Sequence, residues 1–275
     1  MAKIIAITGG KGGTGKSTVS TSLALSLSKE YSVLLVDADV DCPNDHLLLN
    51  CKLKEQKKVY QRIPVFDNSK CQKCALCGTV CKNKAIVSLK GKFPIFISEQ
   101  CNGCGSCKIV CPFDAISWGK KEIGKIYSGK VEKLSLLSGE LKENEPVSEF
   151  VVNRLNEEIN ATKKDYDYII IDTAAGSHCP VIASFELATQ IIAVTEPTPL
   201  GSHDLEIILR LLESLKKDCS IILNRSDIGD KSKILKLASK YKKDIALEIP
   251  YSKDIAKAYS KGIPVLIPNI TSVIK

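Results

Sequence analysis

An α/β fold, built on a mostly parallel sheet with helices on both faces and interrupted by a small inserted module, is the architecture this chain predicts. Three observations predict it. Short apolar runs alternate with helical stretches at both ends of the chain, the pattern of a parallel sheet covered on both sides. A glycine-rich turn, GGKGGTGKST, follows the first apolar run directly. Between residues 60 and 118 the alternation stops, and eight of the twelve cysteines fall there in two copies of C-x2-C-x2-C-x3-C.

The elements follow in order. Lys3–Thr8 reads as a buried strand, and residues Lys16 to Lys29 as a helix with Val19, Leu23 and Leu27 on one face. Val33–Val36 is the next strand and runs into the acidic segment DADVDCPN. Beyond residue 118, Leu155–Lys164 closes a helix, Tyr168–Ile171 and Ile191–Thr195 are strands, and Leu205–Lys216 is a helix. Ile221–Leu223 and Ile245–Ile249 complete the expected strand set. Residues 1–59 and 119–275 are thus expected to form one domain, with 60–118 spliced into one of its loops. The insert repeats itself at an offset of 30 residues: Pro64 and Phe66 match Pro94 and Phe96, the cysteines match one for one, and Ala85-Ile86 matches Ala115-Ile116. Two half-modules of that kind are expected to form a pseudo-symmetric unit.

Composition narrows the class. At 275 residues, 44% hydrophobic and 25% charged, the chain can bury a full core. No apolar run approaches the length of a membrane span, and the expected location is cytoplasmic, with no membrane partner. Twelve cysteines in a reducing compartment argue for metal rather than disulfides. The net charge of +8 comes from 35 Lys and only four Arg, spread along the chain. A solvated lysine surface is expected, and no nucleic acid.

Gly10-x4-Gly15-Lys16-Ser17 is a phosphate-binding loop. The backbone from Gly10 through Gly12, Gly13, Thr14 and Gly15 to Thr18 can curl its N–H groups around phosphate oxygens at the start of a helix. Lys16 is expected to reach the β- and γ-phosphates of ATP, and the Ser17 hydroxyl to hold Mg²⁺. Asp172 ends the strand YIIID, the place for a carboxylate that steadies Mg²⁺. Asp37 and Asp39 end the second strand, where Asp37 can order the metal and Asp39 the attacking water.

The extra lysine, Lys11, makes KGGTGKST resemble the deviant P-loop of the MinD/ParA superfamily, which includes the nitrogenase iron protein and the Mrp-type cluster carriers. The resemblance covers the chain outside residues 60–118. It implies that Lys11 acts on the ATP of a partner subunit, in a homodimer or a heterodimer with a related ATPase that sandwiches two nucleotides. It also implies an adenine contact at Asn224. The segments DTAAGSHCPVIAS and TEPTPLGSHDL resemble the switch II region and the following strand, loop and helix of the branch that carries an inserted ferredoxin domain. In the iron protein a cysteine at the spacing of Cys179 helps hold a cluster across the dimer together with a second cysteine upstream; residues 112–171 here have none. Cys179 is therefore either a bridging ligand or a thiol on the dimer face.

The cysteine runs resemble the bacterial two-cluster ferredoxin pattern, in which the fourth cysteine of each run serves the other cluster. One [4Fe-4S] cluster is then assigned Cys71, Cys74, Cys77 and Cys111, and the other Cys101, Cys104, Cys107 and Cys81. Lys82 stands where the pattern has proline. Four C-x2-C pairs also suit two zinc ions, though the regular third cysteine and the Cys111-Pro112 ending favour iron–sulfur. Two jobs follow for an ATPase so equipped. One is ATP-gated electron transfer to an acceptor redox enzyme. The other is assembly or carriage of clusters for a metallocofactor apo-protein, without redox turnover. A ParA/MinD-like positioning ATPase is the third reading; it gives two clusters no purpose.

Overall fold

A computed structural model describes residues 2–274. The chain begins with β1 (Lys3–Thr8), α1 (Lys16–Leu27), β2 (Val33–Ala38), α2 (Asp45–Leu48) and β3 (Lys54–Phe66). The cysteine-rich stretch contributes α3 (Leu76–Thr79), β4 (Ile86–Val87), β5 (Ile95–Phe96) and α4 (Ser106–Val110). The return to the sheet runs through β6 (Ile116–Val131), β7 (Leu134–Leu141) and α5 (Glu149–Thr162). Then come β8 (Tyr168–Thr173), α6 (Cys179–Ser184), β9 (Gln190–Thr195) and α7 (Pro199–Ser214). β10 (Cys219–Asn224), α8 (Ser232–Lys240), β11 (Ile245–Ile249) and α9 (Lys253–Ser260) finish the order.

Nine strands make one sheet in the order β11-β10-β9-β1-β8-β2-β7-β6-β3. From β11 to β7 neighbours run parallel; β6 and β3 are added antiparallel at the edge. Successive residues of the central strands face opposite layers, as period-2 geometry requires. In β1, Ile4 and Ala6 join the layer that includes Leu155, Leu205 and Ile208, while Ile5 and Ile7 join Val19, Leu23 and Ile270. Helices therefore cover both faces, as the continuous apolar runs required.

The strand set is larger than the sequence reading gave. β3, β6 and β7 add to the strands expected from apolar runs; in β6, GKKEIGKIYSGK carries lysine and glycine between its apolar residues. Ile123 and Ile126 are the buried hydrophobic side chains of that stretch, so no continuous apolar run marks it. β3 and β6 pair from Lys54↔Ser128 to Phe66↔Ile116 and form a long two-stranded ribbon. The cysteine-rich stretch, residues 67–115, joins the far end of both strands. The expected boundaries at 59/60 and 118/119 fall within these two strands.

The 30-residue repeat is visible in the backbone as well. Lys73 and Gly103, Ala75 and Gly105, and Lys84 and Asp114 are three pairs at that offset, and every member has a positive φ. Left-handed conformation costs a residue with a side chain about 1 kcal/mol or more. Of the four such residues, Lys73 and Ala75 sit where the chain turns sharply between successive cysteines, and Lys84 and Asp114 each follow the last cysteine of a run. The core of the module is small: Ile86, Cys107 and Ile116, with Phe66, Phe96, Cys77, Cys81 and Cys111 packed on it.

Candidate functional site

The loop after β1 and the start of α1 open onto a cleft of about 390 Å³ at the carboxyl ends of the parallel strands, within the usual size of a small-ligand site and where α/β sheets bind ligands. Gly12, Gly13, Gly15, Lys16, Ser17 and Thr18 line it, with Asp39 and Asn224. Lys16 is buried and its Nζ donates to the Lys11 carbonyl at 3.3 Å, so it lies folded over the loop. Gly15 has φ +99°, and a Cβ there would stand 2.3 Å from Asn224 Nδ2. No other residue fits. Asn224 itself donates to the Thr14 carbonyl at 2.8 Å, which ties the end of β10 to the loop.

Lys11 is engaged within its own chain. Its Nζ donates to Glu196 Oε1 at 2.7 Å, and the second carboxylate oxygen accepts from Arg225 at 2.8 Å. Burial alone would raise the Glu196 carboxyl; the bonds from Lys11 and Arg225 outweigh it and hold the group below its usual range. Sequence reading missed Glu196, because the pair joins residues 185 positions apart. It also missed Tyr251 and Tyr259, two half-exposed aromatic rings on the cleft wall beyond β11.

Asp37 and Asp172 lie not on the cleft wall but beneath it, each 1% exposed. Asp172 is hydrogen-bonded by Ser17 and by Ser20, the latter at 2.8 Å, so it orients the serine expected to hold Mg²⁺. Burial is the main reason its carboxyl is pushed up to about 6. Asp37 accepts from the backbone N–H groups of Asp39, Asn44 and Asp45, yet burial and the nearby Asp172 push it well up. Asp39 is raised mainly by burial, with Lys16 pulling the other way. A third buried acid, Asp45, joins them. No spacing marks it, since only the tertiary fold brings α2 against β2 and β8.

In the module, the eight cysteines sort into two cavities. One is lined by Cys71, Cys74, Cys77 and Cys111; the other by Cys81, Cys101, Cys104 and Cys107. These are the quartets expected from the exchange of fourth cysteines between runs. Among the described residues, the one group of His, Cys, Asp or Glu ligand atoms mutually within 4.8 Å is the aspartate trio. A tetrahedral zinc with bonds of about 2.3 Å would hold its thiolates roughly 3.8 Å apart. No three thiols of either quartet come within 4.8 Å of one another, and the all-sulfur donor set suits a cubane. Burial pushes Cys107 up to about 11, whereas the Ser106 hydroxyl and N–H lower Cys104.

The remaining cysteines separate by burial. Cys219 and Cys51 belong to the core, while Cys42 and Cys179 are exposed, Cys179 at the start of α6. Among the described residues no helix is long and apolar enough to cross a membrane.

Comparison with known proteins bears on this arrangement. Residues 5–265 match the family described as the CobQ/CobB/MinD/ParA nucleotide binding domain. An uncharacterized protein of Methanocaldococcus jannaschii is 36% identical over 94% of this chain and 90% of its own length. A second uncharacterized protein of that organism is 39% identical over 77% of this chain and 72% of its own. Among solved structures, the septum site-determining protein MinD of Pyrococcus horikoshii, complexed with Mg-ADP, superposes with a TM-score of 0.58. It covers 96% of this chain and 87% of its own at 22% identity, which speaks for the fold alone.

Proposed function

The chain belongs to the CobQ/CobB/MinD/ParA nucleotide-binding family, and from that premise we propose that it is an ATPase whose nucleotide-driven dimer closure acts on an iron–sulfur module. The observation that carries this reading is the sorting of eight thiols into two quartets, on a ribbon of the same sheet that holds the phosphate loop.

At the nucleotide, Lys16 unfolds from the Lys11 carbonyl to meet the β- and γ-phosphates, and Asn224 and the two tyrosines border the base. Ser17 holds the Mg²⁺ of the nucleotide, which neutralises phosphate charge, and Asp172 sets the serine's direction. Asp39, on the cleft wall, positions the attacking water. Lys11 serves the partner subunit's ATP only after leaving Glu196, so the ion pair keeps the lone subunit in an inactive arrangement.

Two [4Fe-4S] clusters, when bound, supply one-electron storage through the quartets Cys71, Cys74, Cys77, Cys111 and Cys81, Cys101, Cys104, Cys107. The module's connection to ATP is covalent and runs through a single strand. From Asp37 and Asp39 the chain passes through Asp45 into β3, whose far end precedes Cys71. Complete ligation of both quartets within one chain supports electron relay to an acceptor enzyme over delivery of a cluster to an apo-protein. A positioning role, as in the name of the Pyrococcus protein, leaves the thiols without a use. Anaerobically prepared protein should carry about eight iron and eight sulfide per chain. Zinc without sulfide would overturn the reading.

A further inference from the structure

Three carboxylates from three elements converge beneath the nucleotide cleft. Asp37 ends β2, Asp172 lies in β8 and Asp45 opens α2; an oxygen from each lies within 4.8 Å of the other two, and all are buried. Two of them have partners. Asp37 accepts three backbone N–H bonds, and Asp172 accepts from Ser20. Asp45 is 0% exposed, and neither of its carboxylate oxygens has a hydrogen-bond partner. A buried carboxylate with both oxygens idle is rare and costly in a folded protein. The charged groups that act on Asp45 are Asp172, Asp37 and Asp39, all of one sign, and Asp172 can meet it directly only by sharing a proton. A cation would satisfy all three carboxylates at once.

We infer that Asp37, Asp45 and Asp172 form a divalent-cation site that fills in the absence of nucleotide, distinct from the Mg²⁺ that ATP brings to Ser17. Its ligands are hard oxygens, which select Mg²⁺ or Mn²⁺ over thiophilic metals. Ser17 and Asp39 line the nucleotide cleft, whereas none of the three carboxylates does. Charge also balances: a dication against three carboxylates leaves one negative charge, opposite Lys16, which acts on Asp172. The site joins the segment between β2 and β3 to β8, so it fixes the root of the ribbon that carries the thiols. It stands on the aspartates alone and does not depend on the cluster reading.

The test is Mn²⁺ binding to the full-length protein without nucleotide, followed by the loss of the free Mn²⁺ signal in electron paramagnetic resonance. The wild type should take up one Mn²⁺ per chain, and Ser17→Ala should do the same. Asp45→Asn, which keeps the side-chain shape, should bind it at least tenfold more weakly, as should Asp37→Asn. Mn-ATP binding by Asp45→Asn serves as the check that the variant is folded. Uptake only when ATP is present, or equal uptake by wild type and Asp45→Asn, would overturn the inference, as would its loss in Ser17→Ala.

Discussion

Replacing Asp45 by Asn should make the metal-free protein more stable at neutral pH, against the usual expectation for a buried polar substitution. The wild type confines three carboxylates within 4.8 Å of each other, and burial raises all of them. For Asp172 the rise is from 3.8 to about 6, so ionising that one group in the folded state costs about 3 kcal/mol at about 1.4 kcal/mol per unit. The sign follows from proton binding. Between pH 3.8 and about 6 the folded state holds the proton that the unfolded state has released. Stability from this group is therefore complete below pH 3.8 and is lost as pH rises through 6. An amide at position 45 removes one charge and can donate to Asp37 or Asp172. In EDTA, melts of wild type and Asp45→Asn should coincide near pH 4 and separate by pH 7.5. The size of the gap measures the repulsion that Asp45 adds to the cluster, and each 1 kcal/mol corresponds to roughly 2–4 °C for a chain of this size. Added Mg²⁺ should close it by stabilising only the wild type. A variant less stable than wild type at pH 7.5 in EDTA, or a gap independent of pH, would refute the reasoning.

Other outcomes follow from the same geometry. Lys16→Ala should abolish ATP binding, whereas Lys11→Ala should bind ATP nearly normally, fail to dimerise, and hydrolyse at a rate lower by roughly 10³-fold; equal loss of binding in both, measured by calorimetry, contradicts a role for Lys11 in trans. Glu196→Gln weakens the hold on Lys11, a charged bond worth about 1.5–3 kcal/mol, and should lower the ATP concentration needed for dimerisation about tenfold in light scattering. Gly15→Ala should lose nucleotide binding, since its Cβ collides with Asn224 and its φ of +99° strains any side chain. In metal-free protein at pH 8, mass spectrometry should find Cys104 alkylated well before Cys107, whose thiol is buried and pushed up to about 11; the reverse order would contradict the arrangement of the second quartet.

The parts of this molecule set by local chemistry were legible from the residues in order. Lys16 and Ser17 had to sit where a strand meets a helix through glycines, and the runs from Cys71 to Cys111 group through their resemblance to a two-cluster pattern. What depends on the fold coming together was not legible. Asp45 reads as an ordinary residue at a helix start until β2 and β8 enclose it. Glu196 lies 185 residues from Lys11. The β3–β6 ribbon escaped because a strand exposed on one face, rich in lysine and glycine, has no continuous apolar run to betray it. Its consequence is mechanical: the thiol module is held at the edge of the sheet, rooted through β3 in the segment that carries Asp37, Asp39 and Asp45.

That rooting is why ATP should be felt at the thiols, and the coupling is measured most directly by potentiometric titration with and without a non-hydrolysable ATP analogue. Coupled sites typically exchange 1–3 kcal/mol, which for a one-electron centre is a shift of roughly 40–130 mV. At least one iron–sulfur centre should move by that amount on addition of the Mg²⁺-bound ATP analogue, and Asp39→Ala, proposed to trap the closed dimer, should keep it there with ATP. Potentials that coincide in every nucleotide state, in the wild type and in Asp39→Ala alike, would contradict the account and leave the module as a passive docking unit.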